Sequence, residues 1–372
     1  MNGDSMRKLK NAKYRVGVIG CGSQGTRNAR AFDLSPLCEI VAGANRGQEG
    51  LDLFCKRFDV PGYNDYRELL RKEKVDIIVS GTPVGVNAQV CVDSARAGVK
   101  GIFCEKPIAV SLAEADAMVE EARIRNVALG SGDMFRFNPQ FWEARRIVES
   151  GEVGEVRSIN AYGSGGREMS GTGCRTFTDM AMFARDSEVD WVVGWVNGLP
   201  VDVDLGKVDE WSDADQGGGG FIRYKNGIDG FVHQTSLGGK TGVEAICTKG
   251  VVCINECREG SVWKMGKGGL KSDRSLFPDP DPAIRNVDSE YDADGWMKNI
   301  TRLTDAVESF IESVDTGMPV KCSGEDARRA LEIAFGFRES HRRGHAPVKF
   351  PIPEQPQDGP GRAPQHRAEV PA

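Results

Sequence analysis

The chain has 372 residues, of which 40% are hydrophobic, and a formal net charge of −6 at pH 7. This length permits two domains with sizeable cores, and the negative charge disfavours general attraction to nucleic acid or acidic lipid. The ten cysteines are scattered without the paired spacing of a zinc site, so we expect reduced thiols and no metal. No run of residues has the pattern of a signal peptide or a membrane span, which predicts a cytoplasmic location.

The first predicted element is a strand over residues 14–19 that turns directly into a helix. In the turn, one glycine permits the tight bend, one lets backbone approach a pyrophosphate, and one lets the helix pack on the strand. The helix that begins near Ser23 offers free N–H groups to phosphate. The predicted dinucleotide-binding residues are Gly20, Gly22, Ser23, Gln24 and Gly25. An ordinary strand-to-helix turn is the alternative.

Short strands then alternate with amphipathic helices along the first part of the chain. The strands are predicted at residues 39–44, 75–80, 101–104 and 127–130. The clearest helix covers residues 111–126, where Ser111 and Glu114 have the spacing of a capping box. This alternation predicts a doubly wound parallel α/β sheet of the Rossmann type.

The pattern changes after about residue 149, where β-type segments become more frequent. A hairpin is predicted where Asn226-Gly227 separates the runs at residues 221–224 and 228–235. Two helices follow at residues 296–316 and 325–343, and disorder is predicted for the Pro-, Gly- and Gln-rich residues 353–372. These features predict a second domain of α+β type.

The residues after the second predicted strand bear on the choice of nucleotide. Rossmann proteins that prefer NAD usually carry an acidic residue there, which binds the ribose 2′-hydroxyl. In this chain the position holds Asn45, followed by Arg46. Asparagine does not repel a 2′-phosphate and arginine binds one bidentately, so the sequence favours NADP(H). NAD(H) stays open, because Asn45 can also hydrogen-bond an unphosphorylated ribose.

Four further motifs follow in order along the chain. They are Gly81-Thr82-Pro83, Cys104-Glu105-Lys106-Pro107, Arg136-Phe137-Asn138-Pro139 and Gly151-Glu152-Val153-Gly154. Together with the glycine loop, this series resembles the Gfo/Idh/MocA oxidoreductase family over roughly residues 14–351. The resemblance implies an N-terminal Rossmann domain, a C-terminal α+β domain with an open, largely antiparallel sheet, and a substrate cleft between them. The predicted divisions are a flexible tail at 1–13, the two domains at 14–138 and 139–351, and a disordered tail at 352–372.

The resemblance also implies roles for individual residues. Lys106 would contact the substrate and the nicotinamide ribose, and the lysine-proline bond is often cis in such proteins. The other cofactor contacts would be Thr82, Pro83 and Asn87 along its length, with Glu105 and Arg136 near the nicotinamide end. The open sheet face commonly mediates dimers or tetramers, so a homodimer or homotetramer is expected.

One stretch departs from the family pattern. Members often carry Asp-x-Gly-x-His-x-x-Asp, in which the His and the first Asp help to handle the substrate proton. In this chain Thr176 occupies the His position and only the final residue, Asp179, is retained. Thr176 cannot hold a proton near neutral pH, although its hydroxyl can orient a substrate oxygen. Asp179 either accepts a hydrogen bond from a sugar hydroxyl or fixes its own helix.

Three residues are candidates for the missing base. Lys106 is the first, because burial beside a cation favours the neutral amine of a lysine. His233 is the second, but the interpretation as a sheet residue that points away from the cleft is favoured over it. Tyr162 is the third, with packing in its strand as the alternative.

Two conspicuous segments are not interpreted as ligand sites. The glycine run at 217–220 leads into a strand rather than a helix, so it is interpreted as a flexible connection or an interface. The acidic, proline-containing stretch at 277–282 is interpreted as a loop, because its prolines hold the carboxylates apart.

The resemblance, together with the Asn45-Arg46 pair, therefore predicts an NADP(H)-preferring oxidoreductase. Its substrate would be a secondary hydroxyl, or the matching ketone, of a sugar, sugar derivative or cyclitol, with Lys106 handling the oxygen. Two alternatives stay open at this stage. One is a redox-neutral, NAD(P)-assisted lyase or hydrolase acting on glycosides. The other is a nucleotide-binding regulator without catalysis, which the missing histidine would fit.

Overall fold

The computed structural model describes residues 13–131, 136–164, 169, 172–198, 216–236, 241–255, 260–276 and 301–352. Within these ranges the chain forms one six-stranded and one nine-stranded sheet. The predicted loop at 277–282 and both predicted tails, except residues 13 and 352, lie outside the described residues. Among the helices in these ranges, none has the length and apolar character needed to cross a membrane.

The first sheet is parallel and is built from alternating strands and helices. Its strands are β1 (Tyr14–Ile19), β2 (Cys38–Ala44), β3 (Gly62–Tyr63), β4 (Ile77–Ser80), β5 (Gly101–Cys104) and β6 (Ala128–Ser131). Its helices are α1 (Ser23–Leu34), α2 (Gln48–Phe58), α3 (Tyr66–Lys72), α4 (Val84–Arg96) and α5 (Leu112–Ile124). The strand order β3-β2-β1-β4-β5-β6 changes direction between β1 and β4, where doubly wound sheets bind ligands. The predicted Rossmann sheet is confirmed.

Local sequence explains these elements. All four residues of β4 and of β5 are buried, as expected of central strands that are covered by helices on both faces. Helix α5 begins as predicted, because the side chain of Ser111 accepts a hydrogen bond from the N–H of Glu114. The carboxylate of Glu114 in turn accepts one from the N–H of Val110. This reciprocal capping fixes the start of the helix.

The second sheet is mixed and mostly antiparallel, and it follows helix α6 (Pro139–Glu149). Its strands are β7 (Val156–Ser164), β8 (Val189–Val196), β9 (Gly218–Tyr224), β10 (Asp229–Ser236), β11 (Gly242–Cys247), β12 (Gly250–Asn255), β13 (Gly260–Gly266), β14 (Gly269–Ser275) and β15 (Val348–Lys349). The order is β14-β13-β12-β11-β7-β10-β9-β8-β15, with β7 and β10 parallel. This confirms the predicted α+β fold and the hairpin at Asn226-Gly227 between β9 and β10.

Helices α7 (Thr172–Phe183) and α9 (Gly324–Arg342) cover one face of the second sheet. Phe177 of α7 packs edge-on against Phe337 of α9, with ring centroids 5.6 Å apart. The Phe337 ring lies so close to Gly194 and Gly220 that a β-carbon at either position would approach it to 2.6 or 2.9 Å. Residues 218–220 of the glycine run therefore belong to β9, where Gly220 permits close helix packing, and this corrects the interpretation of the run as a flexible connection. The other face, here called the open face, has exposed side chains at Trp195 and Phe231 among the described residues.

Helix α8 (Thr301–Thr316) packs against the first sheet, although it follows the second sheet in sequence. Its Phe310 contacts Phe32 and Phe103, with ring centroids 6.2 and 5.4 Å away. Beyond α8, the chain also extends the edge of the first sheet, since the N–H of Ser131 donates to the carbonyl of Cys322. The division at residues 138 and 139 stays a prediction, but packing of the N-terminal core requires residues from the C-terminal part of the chain.

Candidate functional site

Three helices begin at the carboxyl edge of the parallel sheet without a side-chain cap. The N-cap residues of α1, α2 and α4 are Gly22, Gly47 and Pro83, and no side-chain hydrogen bond caps these helices. Side chains do cap α3, α5, α6 and α9, through Asp65, Ser111, Asn138 and Ser323. An uncapped helix N-terminus keeps its N–H donors and partial positive charge for an anion. This edge therefore suits the phosphates of a dinucleotide.

The glycine loop makes close backbone contacts with the end of β4. A β-carbon on Gly25 would lie 1.8 Å from the carbonyl oxygen of Gly20, and one on Gly81 would lie 2.6 Å from Cα of Gly25. A β-carbon on Gly22, by contrast, would meet no atom within 4 Å. The exposed residues at this helix start are Gly22, Ser23 and Gln24. The loop thus leaves open space where a pyrophosphate would lie, so the residues present fit a dinucleotide.

Asn45 holds the glycine loop from the side of β2. Its Oδ1 accepts a hydrogen bond from the N–H of Cys21 at 3.2 Å, and its Nδ2 donates to the carbonyl of Gly47 at 2.8 Å. Burial raises the pKa of the Cys21 thiol to about 12, so this side chain is neutral beside the phosphate site. Arg46 is exposed directly after Asn45. The side chain of Asn45 therefore supports the loop, while that of Arg46 faces solvent.

Asn87 connects the end of β4 to the segment after β5. Its Oδ1 accepts from the hydroxyl of Ser80 at 2.7 Å, and its Nδ2 donates to the carbonyl of Ile108 at 2.8 Å. The resemblance implies a cofactor contact for Asn87, but its side chain is 1% exposed and bonded within the protein. Thr82 is half-buried and Pro83 is exposed at the start of α4. Those two residues lie at the uncapped edge.

Glu105 and Lys106 follow β5 at the same edge, and both are half-buried. The Lys106–Pro107 peptide bond is cis. Oε1 of Glu105 accepts a hydrogen bond from Nδ2 of Asn28 at 2.7 Å, and Asn28 is fully buried on α1. Asn28 is a site residue that sequence reasoning missed. The sequence signal for Asn28 is its spacing from Gly25. The two residues are about one helical turn apart, so they share the helix face that packs on the sheet.

Arg136 is bound by the protein itself. Its guanidinium donates to the carbonyls of Lys321 and Thr178 and pairs with Asp186 at 2.6 Å and Asp326 at 3.2 Å. Burial alone lowers the pKa of Arg136, but Asp326 and Asp186 outweigh it and raise the pKa overall. The position of Arg136 near the nicotinamide, which the resemblance implies, stays a prediction. What the structure adds is that Arg136 links the two sheets as a buried cation.

The same guanidinium also contacts helix α7. Because β5 and β6 pair in parallel, Lys106 and Arg136 follow them from the same edge of the sheet. Arg136 then holds the carbonyl of Thr178 in α7 at 3.0 Å. Thr176 and Asp179 lie on this helix and are 1% and 2% exposed. The position of these two residues beside Lys106 stays a prediction.

His233 and Tyr162 lie on the open face of the second sheet. Side chains alternate along β10, so Phe231 and His233 are exposed whereas Gln234 is buried on the face toward Thr176. Tyr162 of β7 pairs with His233 and shares its face. This placement corrects the hypothesis that His233 supplies the base, and Tyr162 is excluded for the same reason. His233 is a sheet residue that points away from the predicted cleft.

The fold and this edge define a two-domain protein whose N-terminal domain is built to bind a dinucleotide. In the described part of the chain, no group of three His, Cys, Asp or Glu side chains could hold a metal ion. Residues 14–132 match the Gfo/Idh/MocA family, described as an oxidoreductase family with an NAD-binding Rossmann fold. The N-terminal sheet and its helices are therefore similar to the NAD-binding domain of this family.

Similar proteins act on cyclitols and sugars. The chain is 25% identical over 343 residues to myo-inositol 2-dehydrogenase of Thermotoga maritima, covering 88% of this chain and 96% of that one. It is 32% identical over 148 residues to dTDP-3,4-didehydro-2,6-dideoxy-alpha-D-glucose 3-reductase of Actinomadura kijaniata, covering 40% and 44%. The solved structure of levoglucosan dehydrogenase with NADH and L-sorbose matches with a TM-score of 0.74 at 19% identity, over 92% and 100% of the two chains. At that identity the structural match establishes the fold alone.

We predict different effects for alanine at two glycines of the loop. Gly25→Ala should lower the unfolding temperature, because its β-carbon would lie 1.8 Å from the carbonyl of Gly20. Gly22→Ala meets no protein atom within 4 Å, so it should keep the wild-type unfolding temperature. It should nevertheless weaken NAD(P)H binding about tenfold or more, because the methyl group occupies the pyrophosphate space. Thermal unfolding and nucleotide fluorescence titration measure both effects, and unchanged affinity in Gly22→Ala would contradict the site.

Proposed function

We propose that this protein transfers a hydride between a nicotinamide nucleotide and a secondary hydroxyl, or the matching ketone, of a sugar, sugar derivative or cyclitol. The proposal depends on the position of Lys106 directly after β5. At this edge of the sheet, the helices without side-chain caps offer N–H donors to the phosphates of a dinucleotide. The relatives named as inositol dehydrogenases and sugar reductases support this substrate class.

Oxidation of such an alcohol removes a hydride from carbon and a proton from its oxygen. The bound nucleotide would supply the hydride acceptor. Nζ of Lys106 takes the proton from the substrate oxygen and returns it in the reverse reaction. The hydrogen bond from Asn28 fixes the carboxylate of Glu105 beside Lys106 in the chain. Thr176 has a hydroxyl that donates or accepts hydrogen bonds but holds no proton, so the acid-base role falls to Lys106.

Replacing Lys106 tests the proposal. Lys106→Ala should lower kcat on polyols by about 100-fold or more, because the proton then has no positioned acceptor, while NAD(P)H binding changes only a few-fold. Lys72→Ala is the matched control, since Lys72 is exposed, pairs with Glu68 on its own helix and lies over the ring of Tyr63. The measurement is NAD(P)H absorbance with a panel of cyclitols, sugars and their ketones. Absence of turnover by the wild type on every member of the panel, in both directions, would overturn the proposed function.

The preferred nucleotide is NADP(H) in this proposal. Both polar atoms of the Asn45 side chain are bonded within the loop, so this residue contributes no negative charge and little free donor capacity. Arg46 is exposed at the end of β2, where a ribose 2′-phosphate would lie. An arginine at this place offers a bidentate partner to that phosphate.

Arg46→Ala tests this preference. The substitution should weaken NADPH binding about tenfold and leave NADH binding within about twofold, because only NADPH carries the 2′-phosphate. Lys56→Ala removes a cation from the exposed last turn of α2 and serves as the control. Dissociation constants from fluorescence titration provide the comparison. Tighter binding of NADH than NADPH by the wild type, with no selective effect of Arg46→Ala, would contradict the preference.

We also propose that the open face of the second sheet forms a homo-oligomer contact. Trp195 and Phe231 are 40% and 47% exposed on this face. Phe221 lies between aromatic neighbours, with ring centroids 5.2 Å from Phe231 and 5.0 Å from Trp191. A contiguous exposed aromatic surface is typical of a protein interface, and aromatic side chains are enriched in interface cores.

A charge on this face should separate the subunits. Phe231→Asp should reduce the molar mass measured by light scattering after gel filtration to that of one chain, because an unpaired carboxylate is costly in an apolar interface. Met318→Asp places the same charge at another exposed apolar residue, 65% exposed after α8, and should leave the mass unchanged. A monomeric wild type, or an unchanged mass in Phe231→Asp, would argue against this interface.

A further inference from the structure

Gln234 is a buried amide on the covered face of the second sheet. It is 0% exposed on β10, and the neighbouring Val232 on the same face is 3% exposed. Its Oε1 has no hydrogen-bond partner among the described residues. A buried polar atom without a partner destabilises the fold, and a leucine of similar size would avoid this cost. The presence of an amide here therefore calls for an explanation beyond packing.

The amide faces the hydroxyl of Thr176. Nε2 of Gln234 lies 3.4 Å from Oγ1 of Thr176, between β10 and α7. Gly163 of β7 leaves room for this contact, because a β-carbon there would lie 3.2 Å from both Oγ1 of Thr176 and Cγ of Gln234. The three elements therefore approach one another around these two polar groups.

The direction of this hydrogen bond defines what the hydroxyl can do. An amide nitrogen only donates, so Oγ1 of Thr176 must accept from Gln234. The proton of the Thr176 hydroxyl is then available to a different acceptor. In a water-excluded site, a donor that is fixed in this way stabilises an oxygen on which negative charge develops.

We propose that Gln234 is a positioning residue that fixes the Thr176 hydroxyl as a hydrogen-bond donor to the reacting oxygen of the substrate. This inference rests on the proposed function. It assigns proton exchange with the substrate oxygen and hydrogen bonding to that oxygen to two different side chains. Lys106 exchanges the proton, whereas Thr176 stabilises the oxygen as an alkoxide or as a ketone. Gln234 acts through Thr176 and does not itself contact the reacting atoms.

Gln234→Leu separates this role from a structural one. The substitution should lower kcat about tenfold with KM within about threefold, because a hydroxyl without its partner no longer points at the transition state. The unfolding temperature should equal or exceed that of the wild type, because the unpaired Oε1 is removed. Gln89→Leu makes the same change at an exposed residue of α4 and should leave both quantities unchanged.

Variants of Thr176 complete the test. Thr176→Val should lower kcat about 100-fold, and Thr176→Ser, which keeps the hydroxyl, should restore it to within about threefold of the wild type. Adding Gln234→Leu to Thr176→Val should lower kcat no further, because Gln234 acts on the reaction only through the Thr176 hydroxyl.

Three results would overturn the inference. They are an unchanged kcat in Gln234→Leu, a loss of kcat that only follows a lower unfolding temperature, and independent effects in the double variant. A wild type that turns over polyols while giving any of these results contradicts this inference alone. A wild type without turnover on the panel contradicts the proposed function, and this inference fails with it.

Discussion

The buried guanidinium of Arg136 is the interaction on which the geometry of the candidate site depends. Arg136 is 3% exposed and pairs with carboxylates that follow α7 and begin α9, namely Asp186 and Asp326. An arginine cannot shed its charge, so a buried guanidinium requires all of these partners together. Removing one partner of such a pair typically costs about 3 to 5 kcal/mol, which couples the packing of the second domain to the edge of the first. The proposed function requires this link to hold helix α7, which carries Thr176, against the domain that carries Lys106.

The capping pattern shows how stability and binding compete in the first domain. A side-chain cap stabilises a helix by about 1 kcal/mol, and α3, α5, α6 and α9 have one. The helices after β1, β2 and β4 lack one, and those after β1 and β4 start on either side of the switch point of the sheet. An apo protein therefore keeps unsatisfied N–H groups at one place only among its described caps. A bound dinucleotide would satisfy them, which links folding stability to cofactor binding.

The sequence predicted the local features well, because they depend on neighbouring residues. The glycine loop, the capping of α5 by Ser111 and the hairpin at Asn226-Gly227 each follow from spacing within a few positions. The face of the sheet on which His233 lies was harder to predict, because a shift of one residue along a strand moves every side chain to the opposite face. The partners of Arg136 could not be predicted from the sequence, since Asp326 lies far away along the chain and pairs with Arg136 only in the folded protein. The packing of α8 against the first sheet required the same long-range information.

Under the proposed function, Thr176 stands where the family resemblance leads one to expect a histidine, and this changes which chemistry the second domain can provide. An imidazole both orients an oxygen and exchanges a proton near neutral pH, whereas a hydroxyl only orients. In the proposed reaction the proton therefore passes through Lys106, on the first domain, while Thr176 of α7 contributes a hydrogen bond. Such a bond is effective only if its direction is fixed before the reaction, since a freely rotating hydroxyl must be ordered at the transition state. The contact with Gln234, buried between β10 and α7, restricts that rotation and gives Thr176 a defined task in place of a general base.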